Sequence, residues 1–195
     1  MLLALPGSAY IYQGAELSLP EVTDIGDDAR QDPRFFRTKG EFPGRDGCRV
    51  PLPWSAAGTG FGFSRTGQGS SPAEPWLPQP SDWGRYSVES QLADEHSTVN
   101  LYRSALRLRR DHPALGRGTP GLDAPTLDAP TLDALRWLGP DERGLLCFAR
   151  EPGFVLAANL GPAPVPLPAH RDVLLASGPV TGGSLPPDTA VWLGT

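Results

Sequence analysis

The strongest periodic signal in the chain is "STVNLYRSALRLRRDHPAL", residues 97–115, where Leu101, Ala105 and Leu108 fall at i, i+4 and i+7 and Tyr102 with Leu106 widens the stripe. That spacing predicts an amphipathic helix with one face against a core. Ser97 or Thr98 is placed to cap its first turn, and His112-Pro113 to end it. The arginines of "RLRR", residues 107–110, gather where the helix dipole favours cations and read as a solvated polar face. Further on, short apolar runs at residues 135–138, 145–150, 154–159, 165–167, 173–176 and 190–193 are separated by turns such as "GPDERG" and "REPGF". Their spacing is that of a small antiparallel β-sandwich. Residues 8–13, "SAYIYQ", read as a short strand buried on both faces. Between Gly14 and Asp94 neither period persists, and helical turns are expected only around residues 27–30 and 88–93.

Composition explains that silent middle. The chain has 195 residues, enough for one large or two small domains, and 23 glycines with 23 prolines require much of it to be loop. A stretch of some eighty residues without sustained structure in a compact domain is either a functional lid or a sign that the elements there are misassigned. The pentapeptide L-D-A-P-T, repeated within "LDAPTLDAPTLDAL" at residues 122–135, is too short a period for a solenoid and reads as an expanded surface loop.

Charge and motif spacing exclude several functions. A net charge of −5 offers no footprint for nucleic acid or an anionic membrane. Cys48 and Cys147 lack C-x-x-C spacing, and the apolar start stops at Pro6-Gly7 without a basic region before it. Reduced thiols in a cytoplasmic protein are therefore expected. "GTGFGFSRTGQG" has neither dinucleotide nor P-loop spacing, no G-x-S-x-G elbow occurs, and His96, His112 and His170 share no ligand spacing. No cofactor or metal is called for. The acidic run "EVTDIGDDARQDPR" does not fit a calcium loop and is read as helix caps and salt bridges to Arg30, Arg34 and Arg37.

Three segments carry a family likeness. "LLALPGSAYIYQGAELSLPEV" resembles "ALPG-x-x-YIYQGEELGLPEV", "GRDGCRVPLPW" resembles "RD-x-x-R-x-P-[ML]-x-W", and "NLYRSALRLRRDHPALG" resembles "YR-x-L-x-x-LR-x-x-x-PAL". Together they are similar to the C-terminal part of α-glucosidases of the α-amylase family, glycoside hydrolase family 13. The resemblance implies an α/β plus all-β chain. Residues 1–116 would be the last β/α unit of a TIM (β/α)8 barrel with a long substrate loop, and residues 117–195 a small antiparallel β-sandwich C-terminal domain.

For the stretch "GRDGCRVPLPW", the resemblance implies a substrate-binding loop at the barrel mouth. Arg49 would grip the non-reducing sugar, Arg45 and Asp46 would brace the loop, and Trp54 would anchor it. Ala15 and Ser18 depart from the family pattern, which has a carboxylate and a glycine there. The nucleophile, acid/base and third aspartate of the family come from motifs that nothing in these 195 residues matches. The implied function is that of a fragment of a retaining α-glucosidase acting on α-linked gluco-oligosaccharides, inactive alone. The alternative is a non-catalytic module that binds carbohydrate or docks on a complementary barrel fragment. A third expectation is a degraded reading frame whose product folds only in part.

Overall fold

A computed structural model describes residues 1–64, 74–115, 135–140 and 144–195. The pentapeptide repeat up to residue 134, and residues 65–69 of the glycine-rich loop, lie outside them. The chain forms two compact units, Met1–Tyr10 with Arg103–Thr195, and Ile11–Tyr102.

The helical elements are α1 (Pro33–Arg37), α2 (Val88–Ala93) and α3 (Thr98–Asp111), with short 3-10 turns among them. The strands are β1 (Arg136–Pro140), β2 (Leu145–Arg150), β3 (Phe154–Asn159), β4 (Val165–Pro166), β5 (Asp172–Ala176), β6 (Ser184–Leu185) and β7 (Thr189–Gly194). An antiparallel sheet in the order β1-β2-β3-β7-β5 is accompanied by the two-stranded β4-β6. Strand register explains its core. Cys147 pairs with Ala157 and Ala149 with Val155, and these pair in turn with Val191 and Leu193. Side chains two apart share a face, so this set closes against Val165 of β4 and Leu185 of β6 in one buried cluster. The opposite face sets Phe148, Leu156 and Trp192 side by side, and the Phe154 ring meets Trp192 and His112 edge-on, each at 5.5 Å. With both faces covered, every residue of β3 is buried, which is why that strand reads as a continuous apolar run.

Two arginines tie the start of the chain into this unit. Arg150, 7% exposed, donates to the Ala4 carbonyl at 2.9 Å. Arg109 donates to the carbonyls of Leu5 (2.8 Å), Leu3 and Gly7. The solvated reading of residues 107–110 is thus corrected at Arg109, because a turn that ends at Pro6-Gly7 leaves carbonyls that need donors. Leu106 is also corrected, being 44% exposed and outside the apolar stripe that buries Ala105.

In the second unit Val22, Ile25, Val50, Leu77 and Trp83 form the core, with Leu19, Ala29, Phe61 and Tyr86 packed on it. Gln91 substitutes for regular structure: its amide donates to the carbonyls of Leu17 and Tyr86 and its oxygen accepts from the Val99 amide. Ser97 caps α3, accepting from Asn100 N. The strand expected at residues 8–13 forms no ladder among the described residues, and Tyr10 and Tyr12 are 85% and 56% exposed rather than buried. A strand acquires both its ladder and its burial from neighbouring strands, and the described residues supply no such neighbour here.

Candidate functional site

The loop over residues 44–54 owes its course to two glycines and two carboxylates. Gly44 has φ +76°, and a Cβ there would lie 2.6 Å from Asp32 Cβ. At Gly47 a Cβ would meet the Val22 carbonyl oxygen at 2.2 Å, so the chain approaches that closely only with glycine. The Val22 amide donates to the Gly47 carbonyl at 3.1 Å across this contact.

Asp46 is buried at the start of a 3-10 turn, and its Oδ2 accepts from the amides of Gln31 and Asp32, both at 2.9 Å. Asp32, only 2% exposed, works in two directions. Its Oδ1 caps α1, accepting from Arg34 N at 2.8 Å with Pro33 in the first helical position. Its Oδ2 accepts from Arg45 N at 3.2 Å and Arg45 Nε at 3.1 Å, with Arg49 Nη1 at 3.5 Å. The Arg34 amide foremost, and the Arg45 side chain after it, hold the Asp32 carboxyl below the usual aspartate value, against burial, which pushes it up.

Arg49 completes the group. Its Nη1 also lies 3.9 Å from Asp46 Oδ1, and the side chain is 39% exposed. Two carboxylates thus face two guanidiniums, and the charges balance. Tyr12 stands beside them with its hydroxyl 3.8 Å from Cys48 Sγ, and the thiol donates to the Arg45 carbonyl at 3.1 Å. That thiol contact raises the Tyr12 phenol above its ordinary value, while Arg49 draws it down.

A pocket of about 210 Å³ opens next to this cluster, with Tyr12, Ala15, Leu19, Glu21, Cys48 and Leu52 among its walls. Glu21 is the carboxylate in its lining. No group of three or more His, Cys, Asp or Glu side chains able to hold a metal ion occurs among the described residues. No described helix is long and apolar enough to cross a membrane.

The structure brings Arg45, Asp46 and Arg49 together, and adds Asp32 and Tyr12, which sequence reasoning did not assign to the site. Of the caps and salt bridges expected within the acidic run, the Asp32 cap and the Arg30–Asp27 bridge, at 3.7 Å, are present; the rest is corrected, since Asp32 pairs with Arg45 and Arg49 and the Arg34 guanidinium sits over the Phe42 ring. The D-P pair at residues 32–33 was the available signal for Asp32, since it marks a cap followed by a first-turn proline. Trp54 holds the loop through its amide and carbonyl, while its indole is 52% exposed. Ser18, where the resembling family carries glycine, has φ +54° and donates from its hydroxyl to Thr98 Oγ1 at 2.9 Å.

Comparison with known proteins extends the resemblance. The α-amylase catalytic domain matches residues 1–118, and a domain of unknown function, DUF3459, matches residues 130–192. A probable α-glucosidase of Rhizobium meliloti is 36% identical over 118 residues, covering 60% of this chain and 20% of its own length. An oligo-1,6-glucosidase of Parageobacillus thermoglucosidasius is 25% identical over 132 residues, covering 59% and 22%. The chain therefore spans about a fifth of the length of these curated relatives. Among solved structures, the α-glucosyl transfer enzyme XgtA superposes with a TM-score of 0.72 at 30% identity, over 100% of this chain and 34% of its own. An isomaltulose synthase of Klebsiella sp. LX3, with a TM-score of 0.72 at 20% identity over 99% of this chain and 36% of its own, shares the fold. The architecture is thus part of a TIM barrel followed by an antiparallel C-terminal domain.

Proposed function

Because this chain belongs to the α-amylase family, we propose that it is the barrel end and C-terminal domain of a retaining α-glucosidase, in which Arg49 grips the non-reducing sugar of an α-linked gluco-oligosaccharide. The observation that carries this reading is the poise of that guanidinium. Asp32 and Asp46, both buried, meet it at Nη1, and it remains 39% exposed. A guanidinium has five N–H donors in a fixed fork, so its outer edge suits paired sugar hydroxyls. Arg45 and Asp46 brace the loop. This reading keeps residues 1–116 as the barrel end and 117–195 as the C-terminal domain, which the separate matches over 1–118 and 130–192 support. It assigns the cytoplasm as compartment, where an exposed free thiol such as Cys48 stays reduced.

Retaining hydrolysis needs two carboxyl groups about 5 Å apart across the scissile bond. Among the described residues the pocket beside Arg49 is lined by one carboxylate, Glu21, so in this reading the chain by itself does not turn over substrate. A second reading makes it a non-catalytic partner of a complementary barrel fragment, favoured by the exposed Tyr10 and Tyr12 on an extended segment.

Assay of the purified chain on a chromogenic α-glucoside, with calorimetric titration of maltose and isomaltose, tests the proposal. No turnover and sugar binding abolished by Arg49→Ala are expected. Turnover that survives Arg49→Ala refutes it, and self-association on gel filtration supports the second reading.

A further inference from the structure

Trp54 combines a pinned backbone with a bare ring. Its amide donates to the Phe61 carbonyl at 2.7 Å and its carbonyl accepts from Glu89 N at 3.0 Å. On either side the Pro53 carbonyl accepts from Val88 N at 3.1 Å, Ser55 N donates to the Phe61 carbonyl at 2.9 Å, and Ala56 N donates to Glu89 Oε2 at 2.8 Å. The Phe61 carbonyl that accepts both amides is presented by a turn in which Gly60, Phe61 and Gly62 all lie in the left-handed region, at φ +60°, +46° and +75°. For phenylalanine that conformation costs on the order of one to a few kcal/mol, and such strain persists where the surroundings hold it for a purpose. Phe61 packs inward on the core, while the Trp54 indole, 52% exposed, has no aromatic or cationic partner among the described residues. Trp83 of the same unit, at 2% exposure, is by contrast an ordinary core tryptophan.

We propose that Trp54 is a stacking platform for a glucose unit beyond the one held by Arg49, and that it sets the chain-length preference of the site. This rests on the Arg49 reading. Four residues, two of them proline, lie between Arg49 and Trp54, so five Cα-to-Cα steps put their Cα atoms at most about 18 Å apart, within reach of a short oligosaccharide. The axial hydrogens of a pyranose give it an apolar face that covers an indole, while its hydroxyls stay in water. Because the backbone is already fixed, little ordering opposes the contact.

Calorimetry on the full chain with glucose, maltose and maltotriose decides the matter, using wild type, Trp54→Ala, Trp54→Phe and Arg49→Ala. The wild type is expected to tighten with chain length, Trp54→Ala to bind maltotriose about tenfold more weakly with glucose unchanged, and Trp54→Phe to recover most of the loss. Equal length dependence in wild type and Trp54→Ala overturns the platform and leaves Arg49 untouched. Unchanged binding of every sugar by Arg49→Ala overturns the reading of Arg49 instead, and a wild type that binds none of them overturns both.

Discussion

Replacing Gly47 with alanine tests the physical basis of the arginine loop. The new methyl would stand 2.2 Å from the Val22 carbonyl oxygen and 2.9 Å from Glu21 Cγ. A carbon tolerates a carbonyl oxygen at about 3.3 Å, so one strand of the contact must retreat by roughly 1 Å. Retreat forfeits the Val22 N to Gly47 O hydrogen bond, worth about 1 kcal/mol net, and adds the roughly 1–3 kcal/mol typical of overpacking. The expected loss is about 2–4 kcal/mol, confined to the unit Ile11–Tyr102. Urea unfolding followed by tryptophan fluorescence measures it, and an unchanged m-value assigns the shift to stability. Gly178→Ala is the control, since a Cβ there meets nothing closer than 3.7 Å. A Gly47→Ala midpoint equivalent to less than about 0.5 kcal/mol of change, the ordinary scatter of surface substitutions, would show that the close approach is not what shapes the loop.

Two further outcomes are expected. His112 has its pKa lowered from 6.5 by burial first and by the Arg150 charge second, so between its folded value and 6.5 the unfolded chain binds a proton that the native chain does not. Stability should therefore fall as pH drops below about 6.5, and His112→Gln should flatten that slope in urea midpoints taken between about pH 5 and 7. As for the thiols, Cys48 is exposed and Cys147 is buried with its pKa raised by that burial. A disulfide reagent should titrate Cys48 in the native protein and Cys147 only in denaturant, and native reaction of both would contradict the closed sheet core.

The legible parts of the fold were those whose partners are near in sequence. β2 and β3 lie at residues 145–150 and 154–159 as their apolar runs require, because a short turn joins them and each supplies the other's hydrogen bonds. α2 at residues 88–93 and the long α3 were legible for a similar reason, carrying their own caps at Ser87 and Ser97. The two-residue β6 is too brief for any period, and α1 hides in a charged run where only its Asp-Pro start betrays it. Within the site, Arg45, Asp46 and Arg49 came from a motif. Asp32 and Tyr12 did not, since Asp32 meets Arg45 thirteen positions on, past α1 and a loop, and Tyr12 meets Cys48 thirty-six positions on, and no periodicity encodes such contacts.

Arg150 reaches back 146 positions to the Ala4 carbonyl. The first ten residues and the last ninety or so thus form one compact unit, interrupted in sequence by the second, Ile11–Tyr102. During synthesis the unit Ile11–Tyr102 can close on itself early, whereas the other must wait for β7, the strand between β3 and β5 and the latest in sequence among the described ones. Loop closure over such a span costs only logarithmically more than over a short one, yet it slows folding. A nascent chain halted before that strand would carry a finished arginine loop while its other unit still lacked the centre of its sheet.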